Sequence, residues 1–330
     1  MSVPAGLRPA SPAADPIPEP APAPALRRVV DWRIRFALLG LIWGFSFLFI
    51  KVGTEAFAPL QVTLGRMVFG TAVLVATLLV KRDRLPRGRR TWLHLTVAAL
   101  LLNALPFSLF AYAELTIPST LAGICNATTP LWSMVVSVVA LSEDKPTRQR
   151  FAGVGLGFLG VLTVLGAWQG FSGQDPAGTA MALIAAASYA VGWAYVRRTL
   201  AATGTSNLAL SSSQLLLGSA QLALITPFFT SVPESFPILP VLSVVALGAL
   251  GTGIAFLLQY ALVAEKGPTI AVMVTYLIPV VATAAGVLLL HERLGWNEPV
   301  GAVVVLAGAA LTQLRPRRPR TGRPSGAPQP

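Results

Sequence analysis

The chain contains few charged residues, few acids and almost no histidine or cysteine. Asp, Glu, Lys and Arg make up 12% of its 330 residues, with 13 acids, 2 histidines and 1 cysteine in total. The single cysteine, Cys125, excludes an intramolecular disulfide. The scarcity of cysteine and histidine ligands argues against a structural metal cluster. His94 and His291 are far apart in the sequence, and no acids pair within an apolar run. We therefore expect no enzyme, no metal site and no other cofactor.

Long apolar runs dominate what is present. The chain is 54% hydrophobic and has a mean hydropathy of +0.67. A transmembrane helix needs about 20 apolar residues to cross a hydrocarbon core about 30 Å thick. Ten charge-poor runs of that kind predict an all-α membrane protein with ten transmembrane helices. The predicted helices are residues 36–53, 60–80, 95–114, 120–141, 151–167, 178–196, 208–230, 241–263, 268–290 and 299–314.

One helix pattern occurs twice along the chain. Pro130 is followed 13 residues later by Glu143, and Pro279 is followed by Glu292 at the same spacing. After each acid come a short polar loop and a glycine-spaced apolar helix, GVGLGFLG in the first copy and GAVVVLAG in the second. Duplication of this kind is typical of transporters whose two halves move around a central site. The pattern therefore predicts two repeats of five helices each.

The repeat also predicts a domain organisation. We expect a Pro/Ala-rich N-terminal tail at residues 1–30, a first repeat at 31–170, a second repeat at 171–314 and a basic C-terminal tail at 315–330. Neither tail can bury apolar surface, so both are predicted to be disordered. The N-terminal tail has no apolar segment ahead of a small-residue cleavage site, and no signal peptide is expected.

Basic residues concentrate at alternate ends of the predicted helices. Of the 25 Lys and Arg, all but Lys51, Arg66 and Arg293 lie in the tails or in loops on one side. By the positive-inside rule that side is cytoplasmic, together with both chain termini. Because five helices per repeat is an odd number, the second repeat must be inverted in the membrane. The excess of basic residues therefore reflects membrane topology and does not indicate nucleic-acid binding. The expected partners are a lipid bilayer and a small-molecule substrate.

Short motifs along the apolar helices carry a family resemblance. They are WG at Trp43 in helix 1, LGRMVFG around Arg66 in helix 2, the TTPLW and LIPVV prolines, the SED and HER acids, and the two glycine-spaced helices. Over residues 36–314 this combination resembles the EamA family of the drug/metabolite transporter superfamily. The resemblance implies a bacterial inner-membrane exporter or permease of small metabolites, such as amino acids, their derivatives or drugs.

Pro130 and Pro279 lie deep within predicted helices 4 and 9. At about 1.5 Å per residue, both fall near the middle of the membrane. Each proline lacks a backbone donor and frees a carbonyl one turn earlier, so both helices should be interrupted there. A freed carbonyl must face protein or a water-filled cavity. Matched interruptions in two halves predict a central site with the prolines as gating residues; kinks that only aid packing are the alternative.

Aromatic and neutral polar residues within the apolar runs are candidates for the lining of that site. Across the repeat Trp43 aligns with Tyr189, and four residues further on Phe47 aligns with Trp193. Such aromatic pairs suit an amphipathic or aromatic solute, and ordinary packing between helices is the alternative. Neutral polar groups also serve as links between helices. The further candidates are Asn103, Asn126, Gln214, Gln259, Tyr260, Thr275 and Tyr276.

Arg66 is the strongest candidate for recognition of a charged substrate. It lies about 9 Å inside the outer end of helix 2, where exposure to lipid costs at least ~2.5 kcal/mol. In a cavity it would offer a fixed positive charge to a substrate carboxylate. The alternative is that its long side chain extends to the outer interface, which is where we expect Lys51.

The placement of the acids bears on energy coupling. Every acid falls in a loop, in a tail or at a helix end, with Glu114 at the outer end of helix 3. Proton-driven transporters commonly keep a carboxylate in the pathway. The sequence therefore disfavours coupling by a buried acid and favours facilitated movement. Glu143 and Glu292 are expected to anchor helix ends and loops.

Taken together, these patterns predict a multi-pass transporter of the bacterial inner membrane. We expect an exporter of amino acids or related small metabolites that acts by alternating access. A membrane-embedded enzyme and a non-transporting receptor are the alternatives. The glycine-spaced helices 5 and 10 favour close helix packing and also suit contact between copies of the chain in a homo-oligomer.

Overall fold

The computed structural model describes residues 30–140, 147–169, 175–201 and 203–313. Within these ranges the regular structure is helical and contains no β-strand. Glu143 and almost all of the two predicted tails lie outside the described residues. For the described part of the chain the all-α prediction is confirmed.

Fourteen α-helices make up the described structure. They are α1 (Trp32–Gly53), α2 (Pro59–Val80), α3 (Arg89–Ala99), α4 (Leu105–Ala113), α5 (Ser119–Asn126), α6 (Thr129–Ala140), α7 (Arg148–Val164), α8 (Pro176–Thr199), α9 (Asn207–Phe229), α10 (Ile238–Gly248), α11 (Ala255–Lys266), α12 (Pro268–Met273), α13 (Leu277–Leu289) and α14 (Asn297–Gln313).

Eight helical stretches in the described residues are long and apolar enough to cross a membrane. They are α1, α2, α8 and α9 alone, and the consecutive pairs α3–α4, α5–α6, α10–α11 and α12–α13. α7 and α14, at the places of predicted helices 5 and 10, are shorter, with 17 residues each. The chain is therefore a multi-span membrane protein.

The helices that contain the two prolines are interrupted as predicted. Pro130 is the second residue of α6, which begins three residues after the end of α5 at Asn126. A 3₁₀ turn, Val274–Tyr276, separates α12 from α13, and Pro279 is the third residue of α13. Proline has no N–H and crowds the carbonyl four residues earlier. The helix therefore breaks before the ring rather than at it.

Threonine hydroxyls satisfy carbonyls at the break before Pro130. Thr128 Oγ1 donates to the carbonyl oxygen of Cys125 at 2.6 Å, and Thr129 Oγ1 donates to that of Asn126 at 2.7 Å. A backbone carbonyl buried in a membrane needs such a partner. The interruption is thus stabilised by local side chains.

Two more interruptions lie in helices predicted as continuous. A π-helical turn, Leu100–Ala104, joins α3 to α4, and another, Ala249–Ile254, joins α10 to α11. They fall in predicted helices 3 and 8, the corresponding members of the two predicted repeats. Turns of this type occur often at functional sites. Each holds a fully buried polar residue, Asn103 in the first and Thr252 in the second.

Glycines bring α7 and α14 into direct backbone contact. A Cβ atom at Gly308 would lie 2.4 Å from the backbone nitrogen of Gly157, and one at Gly153 would lie 2.8 Å from the carbonyl oxygen of Gly308. Neither gap admits a side chain, so only glycine allows this approach. The predicted close packing of the two glycine-spaced helices is confirmed.

The helix ends lie on two sides of the molecule, which we name by their charge. The basic side holds the N-terminal end of α1 and the C-terminal ends of α2, α8 and α11, with most of the described Lys and Arg. The acidic side holds the C-terminal ends of α1, α4 and α13. An ion pair of 2.8 Å between Arg35 and Glu265 links helices on the basic side. A hydrogen bond of 2.7 Å from Thr116 to Asp175 links connections on the acidic side.

Candidate functional site

A cavity of about 790 Å³ lies between the helices. Small-molecule sites commonly measure about 300–1,000 Å³. On the basic side it reaches helix ends, where Arg150, Arg197 and Asn207 line it. Towards the acidic side its lining stops inside the helices, at residues such as Ile50 and Arg66. The cavity is therefore open towards the basic side and closed towards the acidic side.

Most of the residues proposed from the sequence line this cavity. Both aromatic pairs do so, Trp43 with Phe47 on α1 and Tyr189 with Trp193 on α8. Twelve of the fourteen candidates are on the wall: Trp43, Phe47, Arg66, Asn103, Asn126, Pro130, Tyr189, Trp193, Gln214, Gln259, Tyr260 and Thr275.

Tyr276 and Pro279 are not among the described lining residues. Pro279 is buried, and its Cα lies 3.8 Å from the point where a Cβ would project from Gly123 of α5. The hydroxyl of Tyr276 is buried without a hydrogen-bond partner in the described part of the chain. Thr275 and Ile278 face the cavity instead, because neighbouring residues of a helix point in different directions. The two candidates lie behind the wall in this conformation.

Arg66 is held inside the protein at the closed end of the cavity. Arg66 is only 8% exposed. This burial disfavours the alternative that its side chain extends to the outer interface. Its Nε donates to Thr252 Oγ1 at 2.9 Å. Its guanidinium carbon lies 3.6 Å from the ring centroid of Phe107, a cation–π contact. Because the described hydrogen bond uses Nε, the terminal N–H groups can serve a ligand in the cavity.

Asn103 and Gln214 form an amide pair in the cavity wall. Gln214 Nε2 donates to Asn103 Oδ1. Asn103 is fully buried, and its Nδ2 has no hydrogen-bond partner in the described ranges. An unsatisfied buried donor costs about 1–3 kcal/mol. Nδ2 of Asn103 is therefore an unsatisfied donor buried within the cavity wall.

Aromatic rings surround the same end of the cavity. The rings of Phe47 and Phe110 meet edge to face with centroids 5.5 Å apart. Tyr189 stacks on Phe110 at 6.3 Å and meets Phe107 edge to face at 6.3 Å. Further towards the basic side, Tyr260 lines the cavity and shares a hydrogen bond with the hydroxyl of Ser211. The wall near Arg66 is therefore aromatic and largely apolar.

Arginine is the only charged residue type among the described lining residues. Arg66 lies at the closed end, and Arg150 and Arg197 lie at the mouth. The Nε atom of Arg150 is buried without a hydrogen-bond partner in the part of the chain that the structure describes. A wall with positive charges and no acid attracts anionic groups. The cavity therefore favours ligands that carry a carboxylate or another anion.

Connections on the acidic side close the far end of the cavity. Glu292 accepts hydrogen bonds from the backbone nitrogens of Ser119 at 2.7 Å and Thr120 at 3.1 Å. It thereby caps α5, in keeping with the predicted anchoring role. Lys51, expected at the outer interface, is half-buried, and its Nζ donates to the carbonyl oxygen of Glu114 at 2.5 Å. These contacts tie α1, the α4–α5 connection and the segment after α13 together.

An exposed carboxylate on the acidic side holds the start of α8. Asp175 accepts hydrogen bonds from Thr116 Oγ1 at 2.7 Å and from the backbone nitrogen of Gly178 at 2.6 Å. The Thr116 hydroxyl, followed by the Gly178 N–H, keeps the pKa of Asp175 below its usual value. Asp175 therefore acts as an ionised helix cap.

Sequence reasoning missed Phe107, Phe110, Arg150 and Arg197. A phenylalanine in an apolar helix looks like any lipid-facing residue, and the two arginines fit the basic loops that report topology. Spacing could have identified the phenylalanines, because Asn103, Phe107 and Phe110 follow at intervals of four and three residues. Residues at these intervals share one helix face.

Sequence comparison identifies a transporter family and relatives that are named as transporters. The model of the EamA-like transporter family matches the chain twice, at residues 32–166 and 176–314. The "Uncharacterized inner membrane transporter YedA" of Escherichia coli (strain K12) is 29% identical, with 84% of this chain and 89% of YedA covered. A "Probable amino-acid metabolite efflux pump" of Salmonella typhimurium (strain LT2) is 26% identical, with coverages of 88% and 97%. A solved crystal structure has the same fold, with a TM-score of 0.61 at 23% identity, covering 85% of this chain and 95% of that one.

Proposed function

Because the chain belongs to the EamA-like transporter family, we propose that it exports amino acids or related small metabolites across the bacterial inner membrane by alternating access. The observation that carries this proposal is the cavity that opens to the basic side and closes towards the acidic side. Alternating access requires a central site that is open to one side at a time. A relative whose name describes an amino-acid metabolite efflux pump supports the choice of cargo.

The cargo in this proposal carries a carboxylate and an apolar or aromatic side chain. Arg66 lies on the wall and suits a carboxylate, and the unsatisfied Nδ2 of Asn103 lies buried beside it. The rings of Phe47, Phe110 and Tyr189 supply the apolar surface beside them. The absence of an acid among the described lining residues disfavours cations. Phenylalanine combines these features and is the probe we choose.

The proposed membrane arrangement has ten transmembrane helices in two inverted repeats. The positive-inside rule then makes the basic side cytoplasmic, together with both termini. The cavity in this conformation would receive cargo from the cytoplasm, as an exporter requires. Reporter fusions after Arg90 and Ile117 should report the cytoplasm and the outer side, respectively. A fusion at Arg90 that reports the outer side would overturn the arrangement.

Release to the outer side requires the acidic side to open. In the proposed mechanism the interruptions before Pro130 and Pro279 are the points where α5–α6 and α12–α13 bend. Neither backbone has a complete helical ladder there, so bending breaks few hydrogen bonds. The contacts of Glu292 with Ser119 and Thr120 would part as the cavity closes towards the basic side.

Transport assays with purified protein test the proposal. Proteoliposomes loaded with labelled phenylalanine should lose the label faster than protein-free liposomes. Phenylalanine amide, which lacks the carboxylate, should be released at the protein-free rate. The Arg66→Gln variant, reconstituted at the same protein level, is the matched control for the site. Equal release from both kinds of liposome for phenylalanine and a panel of other labelled amino acids would overturn the proposed cargo class.

A further inference from the structure

A second buried polar centre lies behind the closed end of the cavity. Glu114 directly follows α4, at a helix end as expected from the sequence, and it is fully buried. Ser119 Oγ donates to Glu114 Oε2 at 2.8 Å. Oε1 is buried without a hydrogen-bond partner in the described ranges. Phe110 lines the cavity one helical turn earlier on α4, so the carboxyl group lies just beyond the cavity floor.

Charged groups from three other elements act on Glu114. They are Lys51 on α1, Arg66 on α2 and Glu292 after α13, all close enough for an electrostatic interaction. None of them forms an ion pair with its carboxylate among the described residues. Lys51 uses its Nζ on the backbone carbonyl of Glu114 instead. The start of α8 adds Asp175, which reaches the same connection through Thr116.

Glu114, which is buried, and Glu292, which is half-buried, differ in their hydrogen-bond partners. Glu292 has a hydrogen-bond donor for each oxygen: the Ser119 nitrogen for Oε1, and the nitrogen and hydroxyl of Thr120 for Oε2. Glu114 has a donor for Oε2 only. An ionised carboxylate can accept at both oxygens, and burial without partners is costly. A proton on Oε1 removes the charge and also relieves repulsion from Glu292.

We propose that Glu114 is a proton-binding site that takes up and releases a proton as the acidic side opens and closes. Ser119 connects Glu114 to the contact that must part when the acidic side opens. The Ser119 nitrogen binds Glu292 and its hydroxyl binds Glu114, so both acids meet at one residue of α5. Parting of α5 from the segment after α13 exposes Glu114 to the outer side.

Arg66 couples this proton site to the cargo site. It lines the cavity and also interacts with Glu114. A cargo carboxylate that pairs with Arg66 reduces the positive field that favours ionised Glu114. Cargo binding and protonation therefore favour each other, and the effect is reciprocal. The coupling and the opening of the acidic side rest on the proposed function, whereas proton binding by Glu114 does not.

An infrared titration of the purified protein tests the proton site without any cargo. The wild type should show a protonated-carboxyl C=O band well above pH ~4.3, where exposed glutamates are ionised. Glu114→Gln should lose the Glu114 contribution to this band, and Glu55→Gln, which changes an exposed acid on the same side, should keep the full wild-type intensity. Glu298 is also buried, so any band of its own remains in both variants. A wild type without the band, or a Glu114→Gln protein with the full wild-type intensity, overturns the proposal.

A second variant keeps the test decisive if Glu114→Gln does not fold. Ser119→Ala removes the only described donor to the Glu114 carboxyl group. The ionised form loses stabilisation, so the band should persist to higher pH than in the wild type. An unchanged titration midpoint in Ser119→Ala would refute the assignment to Glu114.

Binding of phenylalanine at different pH values tests the coupling. Affinity in the wild type and in Glu55→Gln should increase on acidification by about fivefold or more, a usual size for coupling between sites. Affinity in Glu114→Gln should not change with pH. A wild type that binds phenylalanine equally at all pH values refutes the coupling. Absence of phenylalanine binding refutes the proposed cargo, while the infrared titration still decides the proton site.

Discussion

Replacement of Arg66 by glutamine removes the positive charge at the closed end of the cavity and keeps a planar polar side chain there. In the wild type the guanidinium group is fixed by Thr252 at 2.9 Å and by the ring of Phe107 at 3.6 Å. A group fixed in this way loses little freedom when it binds a carboxylate. A charge-assisted hydrogen bond contributes about 1.5–3 kcal/mol. We therefore expect Arg66→Gln to weaken phenylalanine binding about tenfold to a hundredfold.

The assay is the half-saturation concentration for phenylalanine in proteoliposomes at matched protein levels. Arg66→Lys should recover part of the loss, because an ammonium group cannot reproduce the guanidinium fork. Arg197→Gln is the matched control, since it removes the same charge from an exposed residue of the same cavity. Solvent screens that charge, so its effect should stay below about fivefold.

Two results would refute this reasoning about Arg66. One is a folded, inserted Arg66→Gln protein with an unchanged half-saturation concentration. The other is an equal loss in Arg66→Gln and Arg197→Gln, which would assign the effect to the total charge of the cavity. A thermal unfolding curve in detergent for each variant separates loss of binding from loss of fold.

Three further predictions concern gating, packing and a helix cap. Pro130→Ala restores a backbone donor and should slow transport while leaving membrane insertion intact; an unchanged rate would make the proline a packing feature. Gly308→Ala should destabilise the fold by about 1–3 kcal/mol, because the added carbon would lie 2.4 Å from a backbone nitrogen. Gly155→Ala has open space and replaces glycine inside a helix, so it should leave the unfolding midpoint unchanged or raise it; an equal loss in both variants would contradict the packing argument. Asp175→Ala should lower the unfolding midpoint at neutral pH. Because folding lowers the pKa of Asp175, this difference should disappear as the pH falls through that lowered pKa, and a constant difference would contradict it.

The location of the candidate site could be predicted because it depends on composition within each helix. Polar residues such as Asn103 and Gln214 are rare in apolar runs, and burial away from lipid is the favourable way to place them. Pro130 marks an interruption because the defect is in its own backbone. The binding roles of these residues remain proposals. Composition alone could not identify Phe107, since a buried and a lipid-facing phenylalanine are equally compatible with an apolar helix; only its spacing from Asn103 indicates the shared helix face.

The sequence by itself determined the helical class, the apolar stretches, the interruptions at the prolines and the separation of basic from acidic helix ends. All of these depend on residues close together in the chain and on the membrane as a solvent. The tertiary structure decided which groups are buried together. Arg66 meets Thr252 across 186 residues, and Glu292 meets Ser119 across 173. Whether Arg66 faces a cavity, and whether Glu114 at a helix end is exposed or buried, depends on such distant partners, because local periodicity specifies a face of a helix and not what packs against it.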